Sequence, residues 1–414
     1  MRILLMSVGT RGDCEPFLGV GMMLRARGED AFCAFPEQYR GLAEASGFSF
    51  FSLGTSYIDL LEGGIGRFAM GGTSSAIKRF LAKREVAVRT RGLTDMLDLQ
   101  CEAVEQVRPD CIIFHNQATY PLIWSLNTGG RAILLSTVPH FLHTVPGYPS
   151  VGFSRSLGIL NPLTYRVANS WIASTFMPAA ERYSKTPLSR QRLLGALTAA
   201  KNVYVVSPTL FPKPSSWPDN TMVAGFWERD QASGWQPPPA LQDFIDAHEK
   251  ILFITFGSML NPDPVGKTAT FLQVLAQCGI PAVINSSSGG LVEPAQYDRS
   301  LVHFTRSVPY DGILPHMYAT IHHGGAGTTQ SSLKAGCAMM AIPHVLDQPM
   351  WGALVHRAGA GLRGFRIGDF NEGRLKAAVR ELFDNNAYRQ RAQEIARLMK
   401  GEDFSEELYR FIVD

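Results

Sequence analysis

Short apolar runs alternate with stretches of helical period through most of the 414-residue chain. In the first half, runs at 3–8, 31–35, 48–53, 111–114, 132–135 and 202–207 predict buried strands. Helical patterns separate them at 17–27 (closed by Gly28), 38–45, 75–107 and from Thr119, with an apolar, helix-compatible stretch over 163–177. The second half starts afresh. Strands are predicted at 251–256, 282–285, 302–304, 320–321 and 339–342, and helices at 269–277, 351–357 and 374–397. Such alternation implies parallel sheets covered by helices on both faces. Between the halves, residues 208–239 carry Pro212, Pro214, Pro218 and Pro237–Pro239 with little periodicity, which marks a domain boundary. The predicted fold class is α/β, two Rossmann-like domains facing each other across a ligand-binding cleft.

Composition changes this picture little. The chain is too long for one core. A hydrophobic fraction of 45% with 18% charged residues describes an ordinary folded protein, and a net charge of +3 without a Lys/Arg block gives no ground for nucleic-acid binding. Six scattered cysteines with no C-x-x-C pair read as reduced thiols in a cytoplasmic protein. The apolar N-terminus is followed at once by Arg11 and Asp13, so it reads as a first strand, not a leader. No apolar run reaches the roughly 20 residues that span a bilayer.

The candidate chemistry centres on His322-His323-Gly324-Gly325-Ala326-Gly327-Thr328-Thr329, which lies between a predicted strand and a predicted helix. A small-residue turn at a helix start turns backbone N–H groups and the positive end of the helix dipole towards one spot, a phosphate cradle. Two other phosphate-loop patterns lack this context. Residues 359–364 satisfy G-x-G-x-x-G but follow a helix, and 261–268 resemble a P-loop with Asn261 for the first glycine and two prolines that remove donors. Ser258, after the strand at 251–256, offers a hydroxyl for a second phosphate oxygen. Asp347-Gln348 offers two acceptors and an amide fork suited to sugar hydroxyls, although alone the pair reads as a turn and helix cap.

Phe256-Gly257-Ser258, Val308-Pro309, His322–Thr329 and the run Asp347-Gln348-Pro349-Met350-Trp351-Gly352 resemble the signature of the UDP-glycosyltransferase family with the GT-B fold. Ser7–Asp13 followed by Glu15-Pro16-Phe17 is similar to the opening of its sterol 3β-glucosyltransferase and antibiotic-glycosyltransferase branches. The resemblance implies an acceptor-binding domain over 1–210, a linker over 211–249, a nucleotide-sugar domain over 250–400 and a tail, 401–414, packed back on the first domain. It implies that His322 donates to the diphosphate with the N–H groups of Gly324, Gly325, Ala326, Gly327 and Thr328 and the Thr328 hydroxyl. Ser258 and Gly12 complete the donor site, Val308 contacts the base through its backbone, and Asp347 and Gln348 hold the hexose. Ser307 stands where many plant relatives place a base-stacking tryptophan, which leaves uridine and thymidine donors both open.

The family's base is often a histidine after the first strand, oriented by an aspartate on a later one. The matching positions here are Asp13 and Asn116. A carboxylate base needs no imidazole tautomer fixed, so Asn116 can hydrogen-bond instead. Asp13 also reads as a helix cap. His115, His140 and His143 are further candidates beside the acceptor, and Tyr57, Phe68, Phe141 and Tyr148 are candidate lining of a lipophilic pocket. With no Asp-x-Asp triplet, no metal and no other cofactor is expected. Lys78-Arg79, Lys83-Arg84, Arg89 and Arg91 read as a solvated helix face that admits peripheral contact with anionic lipid. The implied function is an inverting, metal-independent transfer of glucose from UDP-glucose to a sterol or terpenoid hydroxyl. A nucleotide-sugar 2-epimerase and a non-catalytic nucleotide-sugar-binding protein are the alternatives.

Overall fold

The computed structural model describes residues 1–63, 85, 89, 93–153, 156–230, 234–261, 263–345 and 347–414. Phe68 and all of the basic positions between 78 and 91 except Arg89 lie outside the described residues. The chain divides into two compact units, one of Met1–Leu61, Glu85–Arg229 and Asp403–Asp414, the other chiefly Asp230–Glu402.

The first unit is a seven-stranded parallel sheet. Its strands are β1 (Arg2–Met6), β2 (Asp30–Phe35), β3 (Ser49–Ser52), β4 (Cys111–Phe114), β5 (Arg131–Ser136), β6 (Lys201–Tyr204) and β7 (Thr221–Val223), in the order β3-β2-β1-β4-β5-β6-β7. Ile3, Leu4, Leu5 and Met6 have no exposed surface, as befits a central strand covered on both faces. β7 differs from expectation. It lies in the proline-rich segment assigned to a linker, and it forms because Thr221–Val223 pairs with Asn202–Tyr204 at the sheet edge. The last helix, Ser405–Val413, seats Leu408 and Ile412 in the same core as Leu5, Phe17 and Cys33. The Tyr409 hydroxyl donates to Glu29 Oε1 at 2.8 Å, and Lys201 Nζ donates to the Phe411 carbonyl at 2.7 Å.

The second unit is a six-stranded parallel sheet of β8 (Leu252–Thr255), β9 (Ala282–Asn285), β10 (Val302–Thr305), β11 (Ala319–His322), β12 (Ala338–Ala341) and β13 (Gly361–Leu362), in the order β10-β9-β8-β11-β12-β13. The two discarded phosphate-loop patterns have structural roles. Asp263 accepts the Gly266 N–H at 2.9 Å and caps the helix Pro264–Cys278, while Lys267 lies over the Phe370 ring, 5.1 Å from its centroid. Gly359 ends the helix Gln348–Arg357, and the chain then runs into β13.

In both sheets the strand order reverses once, between β1 and β4 and between β8 and β11. Loops leaving the carboxyl ends of strands that flank such a reversal diverge and open a crevice, where α/β sheets bind ligands. The sequence candidates fall at these two places: Asp13 and Asn116 after β1 and β4, and Ser258 and His322–Thr328 after β8 and β11.

Candidate donor site and its counterpart in the first unit

In the second unit, the helix Ala326–Lys334 begins at Gly325 with no side-chain cap and no acidic residue in its first turn. Its leading N–H groups have no partner within the helix, so this end favours an anion. Gly324 makes the turn at φ +87°. A Cβ there would come within 2.9 Å of the Gln348 carbonyl oxygen, so both conformation and space call for glycine.

The two histidines divide the work. His322, the last residue of β11, is wholly buried; its Nδ1 accepts the Gly324 N–H at 3.0 Å, and Nε2 lies 3.5 Å from Met339 Sδ. Both ring nitrogens meet protein atoms, and the ring props the turn. This corrects the expectation that the His322 ring donates to a ligand. Burial, reinforced by His323, pushes its pKa down to about 3. The ring of His323 lies beside the helix start instead. A Cβ on Gly325 would fall 2.4 Å from His323 Nε2, and one on Gly257 would fall 3.0 Å from Cε1, so the imidazole occupies space that glycines at 257 and 325 leave open. Burial also keeps His323 neutral, with a pKa near 4.

Ser258 sits in the turn after β8, where the Gly257 N–H donates to Thr255 Oγ1 at 3.1 Å. Gln348 differs from expectation. Its Oε1 accepts from the N–H groups of His344 (2.7 Å) and Val345 (3.0 Å), and its Nε2 faces Met259 Sδ at 3.3 Å. The amide braces the turn after β12 instead of presenting a free fork; Asp347 precedes it at the helix N-cap. Val308, Trp235 and Tyr310 each pack against the same core cluster, and a Cβ on Gly312 would lie 2.4 Å from Trp235 Cε3. The sequence reading passed over Trp235 because it stands in the aperiodic connection.

In the first unit, Asp13 lies in the first turn of the helix Arg11–Ala26. Its Oδ2 accepts the Thr10 N–H at 2.7 Å and the Thr10 hydroxyl at 3.1 Å, which caps the helix. Its Oδ1 points to His115 Nε2, 3.7 Å away. Cap and candidate base are therefore one carboxylate with an oxygen for each task. Arg11 pairs with Glu15, not with Asp13. His115, the residue after β4, is buried; burial lowers its pKa while Asp13 raises it, and Nδ1 has no hydrogen-bond partner. Asn116, the other member of the expected pair, begins the turn beyond it. Tyr57 lies near enough for Asp13 to raise its pKa further, on top of burial. His143 Nδ1 and the Tyr204 hydroxyl are 2.8 Å apart, and the His140 ring packs edge-on to Tyr148, so these two histidines belong to a packed aromatic cluster.

Residues 299–413 match the family model described as Erythromycin biosynthesis protein CIII-like, C-terminal domain. Over 97% of its length the chain is 28% identical to the sterol 3-beta-glucosyltransferase UGT80A2 of Arabidopsis thaliana and spans 64% of that protein. It is 27% identical to the O-mycaminosyltylonolide 6-deoxyallosyltransferase of Streptomyces fradiae, covering 97% of this chain and 94% of the relative. Among solved structures, the calicheamicin glycosyltransferase superposes with a TM-score of 0.68 at 17% identity over 99% of this chain and 97% of its own. A Streptomyces sp. SF2575 glycosyltransferase complexed with thymidine diphosphate gives 0.63 at 18%, over 100% and 99%. These comparisons make the chain similar to the glycosyltransferases of family 1, and its fold is the GT-B fold of those solved structures. The open helix end at Gly325–Thr328 and the Asp13–His115 pair are the candidate sites, one in each unit.

Proposed function

We propose that the chain is an inverting, metal-independent glycosyltransferase that moves glucose from UDP-glucose to the hydroxyl of a lipophilic alcohol such as a sterol or terpenoid. The observation that carries this reading is the uncapped helix start at Gly325, with the His323 ring beside it, at the switch point of the second sheet. A nucleoside diphosphate bound there has the negative charge that develops on its leaving oxygen stabilised by fixed N–H groups. The acceptor oxygen attacks C1 of the hexose, the bond from C1 to the diphosphate breaks with its electron pair leaving on the nucleotide, and the acceptor proton passes to Asp13 Oδ1. Asp347 holds hexose hydroxyls in this reading, and Val308 with Trp235 flanks the base. A lipophilic acceptor accords with the sterol named for one relative.

The test is a panel of UDP- and TDP-sugars against sterols, terpenoids and phenols, scored by nucleotide release and by the anomeric configuration of the product. Acceptor-dependent release with a β-glycoside from an α-linked donor is expected. Epimerised sugar formed without any acceptor, or tight nucleotide binding with no release for any alcohol, overturns the reading in favour of an epimerase or a binding protein respectively.

A further inference from the structure

The helix Asn161–Thr175 buries a mixed face, with Ile172 and Ala173 beside polar groups, yet leaves large apolar side chains on its outer face. Asn161, Thr164 and Tyr165 are buried, whereas Leu163, Val167 and Trp171 are exposed at 45, 61 and 50%. Spaced by four residues, these three form one stripe along the outer face. The short turn Gly158–Leu160 extends the stripe with Ile159 at 95% exposure and Leu160 at 53%. Six of the ten exposed large apolar side chains among the described residues fall between Leu157 and Trp171. Scattered exposed leucines need no explanation, but a concentration of this kind marks a surface that something covers.

The surrounding charge indicates what does. No Asp or Glu occurs in the sequence between Asp110 and Glu181, nor between Glu181 and Asp219. Arg166 is exposed on the stripe itself, and Arg190 and Arg192 are exposed on the helix Arg190–Ala199, which packs against it. Asp98, on the helix Thr94–Val107, is paired with Arg182 at 2.7 Å. An apolar stripe with a tryptophan, rimmed by arginines and nearly free of carboxylates, has the composition of a helix that lies in a bilayer interface. A second copy of the chain fits less well, since two-fold pairing through this face would set the arginine rim against itself.

We propose that the face formed by Ile159, Leu160, Leu163, Val167 and Trp171 docks the first unit on the surface of a bilayer containing anionic lipid. The helix lies in the plane of the interface with its apolar stripe among the upper acyl carbons and its arginines at the phosphates. None of its helices, among the described residues, is long and apolar enough to cross a membrane, so the contact is peripheral.

The test is flotation of the full chain with vesicles of phosphatidylcholine, with and without phosphatidylserine. The parent should float with the anionic vesicles and lose binding as salt rises. Val167→Glu with Trp171→Glu should reduce bound protein about tenfold or more, since it removes apolar burial and adds like charge. Arg166→Glu should weaken binding to anionic vesicles and leave any residual binding to neutral ones unchanged. Both variants should keep the parent's melting temperature and nucleotide affinity, because the substituted side chains are exposed and lie outside the candidate sites. Failure of the parent to float, or flotation of the double variant equal to the parent's, overturns the proposal. So does light scattering that shows a dimer which the double variant dissolves while vesicle binding is absent. Flotation requires no turnover, so its outcome is independent of the proposed transfer reaction.

Discussion

His115 Nε2 lies 3.7 Å from Asp13 Oδ1, at the reversal between β4 and β1, while the other oxygen of the same carboxylate caps a helix. The imidazole is held by burial in its neutral form and can orient the carboxylate without competing for the acceptor proton. Asp13→Asn should lower kcat by about 10²–10⁴-fold, the range attributed to a positioned acid or base, with the KM for the sugar donor little changed. An Asp13→Asn enzyme as fast as the parent removes Asp13 from the mechanism. His115→Ala should lower kcat about tenfold while Asn116→Ala stays near the parent. The reverse order in steady-state kinetics would restore Asn116 as the partner of Asp13.

Gly325→Ala should weaken donor binding while the fold survives. The added Cβ would meet His323 Nε2 at 2.4 Å and push the ring across the helix start. Titration calorimetry with UDP is expected to show a loss of about tenfold or more in affinity, a difference near 1.4 kcal/mol. Combining it with His323→Ala should recover part of the loss by removing the clash. A Gly325→Ala protein that binds UDP normally places the nucleotide elsewhere.

Trp235→Ala should raise the KM for the donor several-fold and leave the KM for the acceptor alone. The ring packs against Gly312 and borders the same core cluster as Val308, and Ser307 supplies no aromatic surface of its own. Stacked aromatic contacts contribute about 0.5–1.5 kcal/mol. An unchanged donor KM assigns the base to another surface.

Acid should weaken the second unit before catalysis is considered. His322, His323 and His344 are buried, with pKa values pushed down to about 3, 4 and 3. The unfolded chain takes up these protons near pH 6.5 and the folded chain only at much lower pH, so stability is complete above about 6.5 and declines as pH falls towards 4. Each histidine contributes at most ~1.4 kcal/mol per pH unit to that slope. Urea midpoints between pH 7 and 4.5 should fall, and His323→Gln should make the decline shallower. A flat profile would mean that these rings are not buried neutral.

The fold was largely legible because its strands are short apolar runs with no competing pattern. Residues 3–6, 111–114 and 282–284 are continuous hydrophobic segments, and the structure buries each from both sides. The cradle at 322–329 was legible for a different reason. Glycines between a strand and a helix answer local demands of backbone conformation and space that tertiary context does not change. β7 escaped notice because three residues at a sheet edge carry no periodic signal.

The sequence by itself determined the α/β alternation and the glycine-rich turn between β11 and the helix that follows it. Only the tertiary structure decided what each of two adjacent candidates touches. His322 or His323, and His115 or Asn116, are neighbours at the carboxyl ends of strands, where successive side chains point to opposite sides. His322 meets the Gly324 N–H and Met339 while His323 lies beside Gly257 and Gly325, and His115 meets Asp13 while Asn116 begins the turn beyond it. Spacing along the chain locates such a pair. Its orientation follows from which face of the strand end the packed helices cover, a long-range property that no local pattern encodes.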